Sequence, residues 1–84
     1  MKNKVLIELI IPEIEETYNL YIPVNKKVGN IIILITRAIF DISSGTYSLN
    51  NNSILYNRET GKKYEVDDLV RLTDIKNGTS LILM

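Results

Sequence analysis

The apolar residues of this chain change period once, and that change restricts the fold more than any other feature. From Thr17 to Val24 (TYNLYIPV) they alternate, with Tyr18, Leu20 and Ile22 on one side and Asn19, Tyr21 and Pro23 on the other. Alternation of this kind makes a half-buried strand, and Pro23 marks it as an edge because proline has no N–H for a ladder. From Lys27 to Ile42 (KVGNIIILITRAIFDI) the residues Val28, Ile31, Ile32, Ile35, Ile39 and Ile42 recur at helical spacing and predict one amphipathic helix. Its many β-branched isoleucines are poor helix formers, so the period carries this expectation and the propensity does not. Asn25, or a residue one or two later, is the expected N-cap, Gly29 weakens the first turn, and Ser43-Ser44-Gly45 ends the helix.

The rest of the chain places this strand and helix in an order. Lys4 to Ile11 (KVLIELII) is rich in β-branched residues and ends at Pro12, so it reads as a strand; the acidic connection Pro12 to Glu16 turns it into a hairpin. Beyond the helix, Tyr47 to Leu49 and Ile54 to Asn57 are strand candidates on either side of an Asn-rich loop. Arg58 to Gly61 reads as a hairpin turn with Gly61 left-handed, and Lys62 to Val66 as a short returning strand. Asp67 to Asp74 predicts one helical turn. Asn77-Gly78 predicts a tight I′ turn with positive φ at both positions, followed by a last strand from Thr79 to Met84. The order is β-β-α-β-β-(short helix)-β, that of an α+β β-grasp: a mixed sheet of four to five strands crossed by one main helix. There the last strand lies parallel to the first at the centre, which fits the apolar runs Val5 to Ile11 and Leu81 to Met84. The expected organisation is one domain over residues 1–84.

Composition excludes several classes of function. Ten basic and ten acidic residues balance, whereas nucleic-acid modules and polybasic membrane anchors carry a basic excess. Cysteine and histidine are both absent, removing thiolate chemistry, the commonest general base near neutral pH and the commonest zinc ligand. No run of about 18 apolar residues spans a bilayer, and Glu8, Pro12 and Glu13 break the stretch after the basic start. The expectation is a cytoplasmic, non-catalytic protein with no cofactor, no metal, no nucleic-acid partner and no membrane insertion. The acids Glu13, Glu15, Glu16, Glu65, Asp67 and Asp68 match no calcium loop and read as solvated loop charge, as do Lys26-Lys27 and Lys62-Lys63. The four glycines are too widely spaced for a phosphate loop.

Three segments carry a resemblance. TYNLYIPV, KKVGNIIILITRAIFDIS and DDLVRLTDIKNGTSLILM are similar to the corresponding segments of the EsaB/YukD family, small ubiquitin-like proteins associated with bacterial type VII (WXG100) secretion systems. The likeness covers nearly the whole chain and is weakest from Ser44 to Asn57. It consists of core and turn positions, most specifically Leu-x-Asp-Ile-x-Asn-Gly at Leu72 to Gly78. It implies a ubiquitin-like fold and an accessory or regulatory role, with a membrane component or regulator of the secretion apparatus as protein partner. Val70, Ile75, Leu81 and Leu83 also match the C-terminal core pattern of ubiquitin. Ubiquitin continues into a flexible tail ending in two glycines; here Leu83 and Met84 close the sequence, so the expectation is docking without conjugation or sulfur transfer.

Two surfaces are candidates for docking. If Glu8 faces solvent, alternation sends Leu6 and Ile10 the same way, and Ile82 and Met84 outward beside them. The first surface is therefore an outward stripe of Leu6, Ile10, Ile82 and Met84 with Tyr21 nearby. The plainer account is scattered exposed apolar residues, and contiguity decides between the two. The second surface is the helix face opposite the core, where Ile33 and Phe40 flank Arg37, unless another element covers them. The alternative function is a homodimer through the last-strand face or through the edge strand at Tyr18 to Pro23.

Overall fold

A computed structural model of the chain describes residues 3–48 and 52–84. Four strands and one α-helix are joined in the order β1 (Lys4–Ile11), β2 (Glu16–Pro23), α1 (Val28–Ile42), β3 (Leu55–Asn57) and β4 (Ser80–Leu83). The sheet order is β2-β1-β4-β3, with β1 antiparallel to β2, parallel to β4, and β3 antiparallel to β4. The first and last strands therefore meet at the centre. This is the β-grasp that the order of elements predicts.

The reason is legible in the burial. Ile7, Leu9 and Ile11 of β1, Ile22 of β2 and Leu81 and Leu83 of β4 are buried on the face under α1. The helix supplies Val28, Ile31, Ile32, Ile35 and Ile39 to the same core. Tyr18 and Leu20 pack against it from β2. Alternation on the strands and 3.6-residue spacing on the helix thus meet in a single apolar layer.

Ile42, expected as the last member of the helical stripe, is 61 % exposed. It has the right phase but occupies the final helical position, beyond what the sheet covers. The N-terminus of α1 falls within the expected range, with Lys27, two residues after Asn25, as the cap residue, but no side chain caps the helix. The first N–H groups are satisfied from elsewhere: Val28 donates to the carbonyl of Asp68 at 2.8 Å and Gly29 to that of Val66 at 2.9 Å. Returning bonds run from Val70 N–H to Lys26 and from Arg71 N–H to Val24. A backbone strap thus performs the cap. Gly29 fits this strap, since a Cβ there would lie 3.2 Å from the Val66 oxygen. At the other end Gly45 N–H donates to Phe40 and Ser44 N–H to Asp41, with Ser44 at φ 54°. These two bonds form a Schellman motif and stop the helix where Ser43-Ser44-Gly45 predicts.

Several short elements are corrected. Tyr47 and Ser48 form no strand; Leu49, Asn50 and Asn51 lie outside the described residues. Lys62 to Val66 makes only an isolated bridge, Lys63 opposite Tyr56, in place of a strand. The segment is held instead by Asn57 N–H to Lys62 and Tyr64 N–H to Leu55. Gly61 is left-handed as expected, at φ 72°. The predicted helical turn at Asp67 to Asp74 narrows to a 3-10 turn over Val70–Leu72. In the Asn77-Gly78 turn only Gly78 has positive φ, so the turn is not type I′. A I′ turn suits antiparallel hairpins, whereas this one delivers β4 parallel to β1.

Candidate functional site

The face of the sheet away from α1 carries the predicted outward residues. Its register sorts them into three rows. Ile10 stands opposite Ile82, and Ile82 opposite Tyr56, so an apolar row crosses three strands. Thr17 extends it on β2. Met84 continues the outward alternation of β4; its N–H and carbonyl pair with Ile54 at 3.0 and 2.7 Å. Ile10, Ile82 and Tyr56 are half-buried and Met84 is exposed.

The second row is polar. Glu8 lies between Asn19 and Ser80, and Ser80 Oγ donates to Glu8 Oε1 at 2.9 Å. Arg58 Nη1 stands 3.9 Å from the same carboxylate oxygen. The third row is Leu6 beside Tyr21, both exposed. It abuts the turn: Leu6 N–H donates to Asn77 Oδ1 and Gly78 N–H to the Leu6 carbonyl, each at 2.8 Å.

The expected stripe is therefore not continuous. Ile10, Ile82 and Met84 come together, while the Glu8–Ser80–Arg58 bar separates them from Leu6 and Tyr21. Tyr56 completes the apolar row and was missed, because a three-residue strand gives too little alternation to assign its outward face. The period-two argument would have placed it once β3 was paired to β4.

The helix candidates Ile33, Arg37 and Phe40 are exposed. Phe40 partly covers the chain reversal: its ring would be 3.4 Å from a Cβ at Gly45. This surface and the sheet face lie on opposite sides of the core.

A third feature was not anticipated. Tyr64 is the largest fully buried side chain. Its hydroxyl donates to Asp74 Oδ1 at 2.5 Å and accepts from Asn57 Nδ2 at 3.1 Å. Burial, and next the bond to Asp74, push its pKa up to about 12. Asn57 Oδ1 in turn accepts the N–H groups of Glu59 and Thr60. The cluster ties the 57–64 turn to the segment preceding β4. Among the described residues no group of three acidic side chains is arranged to hold a metal ion, and no helix is long and apolar enough to cross a membrane.

No protein-family model and no curated protein matches the sequence. Solved structures match the fold. A chain from a structure described as molecular mimicry of SUMO promoting DNA repair superposes with TM-score 0.73 at 17 % identity, over 98 % of this chain and 91 % of that one. A chain of the MycP5-free ESX-5 inner membrane complex gives 0.78 at 12 % identity, over 98 % of this chain but 21 % of that one. Caldiarchaeum subterraneum ubiquitin gives 0.67 at 12 % identity, over 95 % and 90 %. At such identities the likeness is one of fold: the chain is a ubiquitin-like β-grasp.

Proposed function

We propose that residues 1–84 form a single ubiquitin-like domain that serves in the cytoplasm as a non-catalytic accessory module of a bacterial type VII secretion system. It works by occupying a surface. The observation that carries the docking reading is the apolar row Ile10–Ile82–Tyr56, which crosses three strands on the uncovered face of the sheet and runs on to Met84. Contiguity of this kind is what separates a docking face from scattered exposed residues. The adjoining Glu8–Ser80–Arg58 bar supplies polar groups at its rim, in the pattern of an apolar centre with a polar border. Leu6 and Tyr21 lie beyond that bar as a second contact, and Ile33, Arg37 and Phe40 form a subsidiary face on the helix. The secretion part is supported by the resemblance of the three segments above and by the fold shared with a chain of an ESX-5 inner membrane complex.

The test is a crosslinking pull-down from native membranes and cytoplasm with wild type and Ile82→Asp, each shown to be folded by its amide NMR spectrum. Loss of a membrane component of the apparatus in the folded variant is the expected result. An identical partner set in both samples would move the site to Ile33, Arg37 and Phe40; recovery of no secretion component by wild type would remove the secretion reading.

A further inference from the structure

The two edges of the sheet are treated differently. The β3 edge is covered by the returning segment, through Asn57 N–H to Lys62 and Tyr64 N–H to Leu55. The β2 edge is open for most of its length. Val24 N–H donates to the Asn3 carbonyl, and the register continues with Lys4 opposite Pro23. Because bonded and non-bonded pairs alternate along an antiparallel ladder, Tyr18, Leu20 and Ile22 bond to β1. Thr17, Asn19 and Tyr21 then turn their N–H and carbonyl groups outward. Among the described residues no other segment bonds to these outward groups. Proteins usually blunt such an edge with charge, bulges or cover. Thr17 to Ile22 carry no charge at all.

The same edge borders an apolar cleft. An open cleft of about 190 Å³ lies between β2 and α1, lined among others by Leu20, Ile22, Ile31, Leu34 and Ala38. Leu34 is 46 % exposed and Tyr21 54 %. Both are large apolar side chains left uncovered beside unpaired backbone.

The charge at the two ends of β2 identifies the occupant. Glu15 and Glu16 stand at its start, and Lys26 and Lys27 just past its end, all exposed. Lys27 has only a 3.9 Å contact with exposed Asp67, and Lys26 is in no ion pair among the described residues. A strand laid antiparallel on this edge meets acid at one end and base at the other. Its ideal complement is acidic at its N-terminal end, apolar in the middle and basic at its C-terminal end. Residues 15–27 of this chain have that pattern themselves.

We propose that the β2 edge binds a second copy of this chain, β2 antiparallel to β2 about a twofold axis, giving a continuous eight-stranded sheet. Asn19 of each copy stands opposite Tyr21 of the other and Thr17 opposite Pro23, whose carbonyl accepts the Thr17 N–H. Glu15 and Glu16 of one copy then lie beside Val24 and Asn25 of its partner, next to Lys26 and Lys27. The two helices lie side by side on the extended sheet, and their Leu34 and Ala38 flanks close the clefts. The interface is isologous, so it closes at two and leaves no further open edge. It uses none of Ile10, Tyr56, Ile82 or Met84, so this proposal and the docking reading stand or fall separately.

Sedimentation equilibrium of the whole protein over a wide concentration range tests it, with three variants. Wild type is expected to approach twice 9.6 kDa. Asn19→Pro removes an outward donor and no bond to β1, so it should stay folded by its amide spectrum and raise the dimer dissociation constant at least about tenfold. Glu16→Lys should weaken the dimer roughly threefold at low salt, with the effect fading as salt screens it. Adding Lys26→Glu to that variant should restore the dimer. A mass fixed at 9.6 kDa up to millimolar protein overturns the proposal. So does a dimer indifferent to Asn19→Pro, or an edge whose amides shift only on adding an extended foreign peptide.

Discussion

Single residues decide two features that the chain's periodicity does not announce. Tyr64 follows Lys62-Lys63 in what reads as a short returning strand, yet it is buried with its hydroxyl shared between Asp74 and Asn57. Tyr64→Phe leaves those two partners without it, and should lower stability at neutral pH by about 1–2 kcal/mol in urea titrations. The pH dependence has a definite sign. The fold holds the neutral phenol, with its pKa raised from 10.0 to about 12. That stabilisation is complete below the unfolded value and is lost as pH rises through 10 towards 12. The difference between wild type and Tyr64→Phe should therefore shrink over that alkaline range; a constant difference would show that the hydroxyl does not titrate as described. Ser44 is the converse case. It occupies the left-handed position of the Schellman motif at φ 54°, where glycine has no Cβ to accommodate. Ser44→Gly should raise stability by roughly 0.5–1 kcal/mol, read as a higher urea midpoint at unchanged slope.

At the scale of elements, the helix separates phase from burial. Ile39 and Ile42 belong to the same apolar stripe by spacing, but Ile39 is fully buried and Ile42 stands largely free. Ile39→Ala should cost about 2–5 kcal/mol, whereas Ile42→Ala should remain within about 0.5 kcal/mol. Equal losses at the two sites in denaturant titrations would contradict this placement. The comparison also explains which elements could be read in advance. Strands of eight residues and a helix of fifteen repeat their period often enough to be recognised. The three residues of β3 do not, and neither does the 3-10 turn at Val70–Leu72. The helix start carries no readable cap, for another reason. Its N–H groups are satisfied by carbonyls of Val66 and Asp68, some forty residues away, so no local capping residue signals it.

For the molecule as a whole, the decisive contact joins the two ends of the chain. β1 and β4 form the centre of the sheet, and Leu81 and Leu83 fill the core beneath the helix. Removing residues 79–84 would strip β1 of one neighbour and β3 of its partner strand. Such a truncation should show no cooperative unfolding transition by circular dichroism, since β3 then has no strand to pair with and the core loses Leu81 and Leu83. A retained transition would mean that the hairpin and helix are stable alone. The candidate docking face depends on the same contact, because its apolar row exists only when Ile82 lies between Ile10 and Tyr56. Leu6, Ile10, Tyr21, Ile82 and Met84 were readable individually as outward residues. Their division by the Glu8–Ser80–Arg58 bar was not, since that depends on register.

What the order of residues determined by itself is the β-grasp: alternation, then a helical stripe, then a final apolar strand, each a local periodicity that needs no partner to be recognised. The tertiary structure alone decided which outward residues are neighbours, how the helix is capped, and where Tyr64 goes. The first two rest on pairings across long stretches of chain, Ile10 with Ile82 and the helix start with Val66 and Asp68, and the third on a fold of the chain that sets Tyr64 between Asn57 and Asp74; spacing along a chain holds no record of which carbonyl or side chain will meet it.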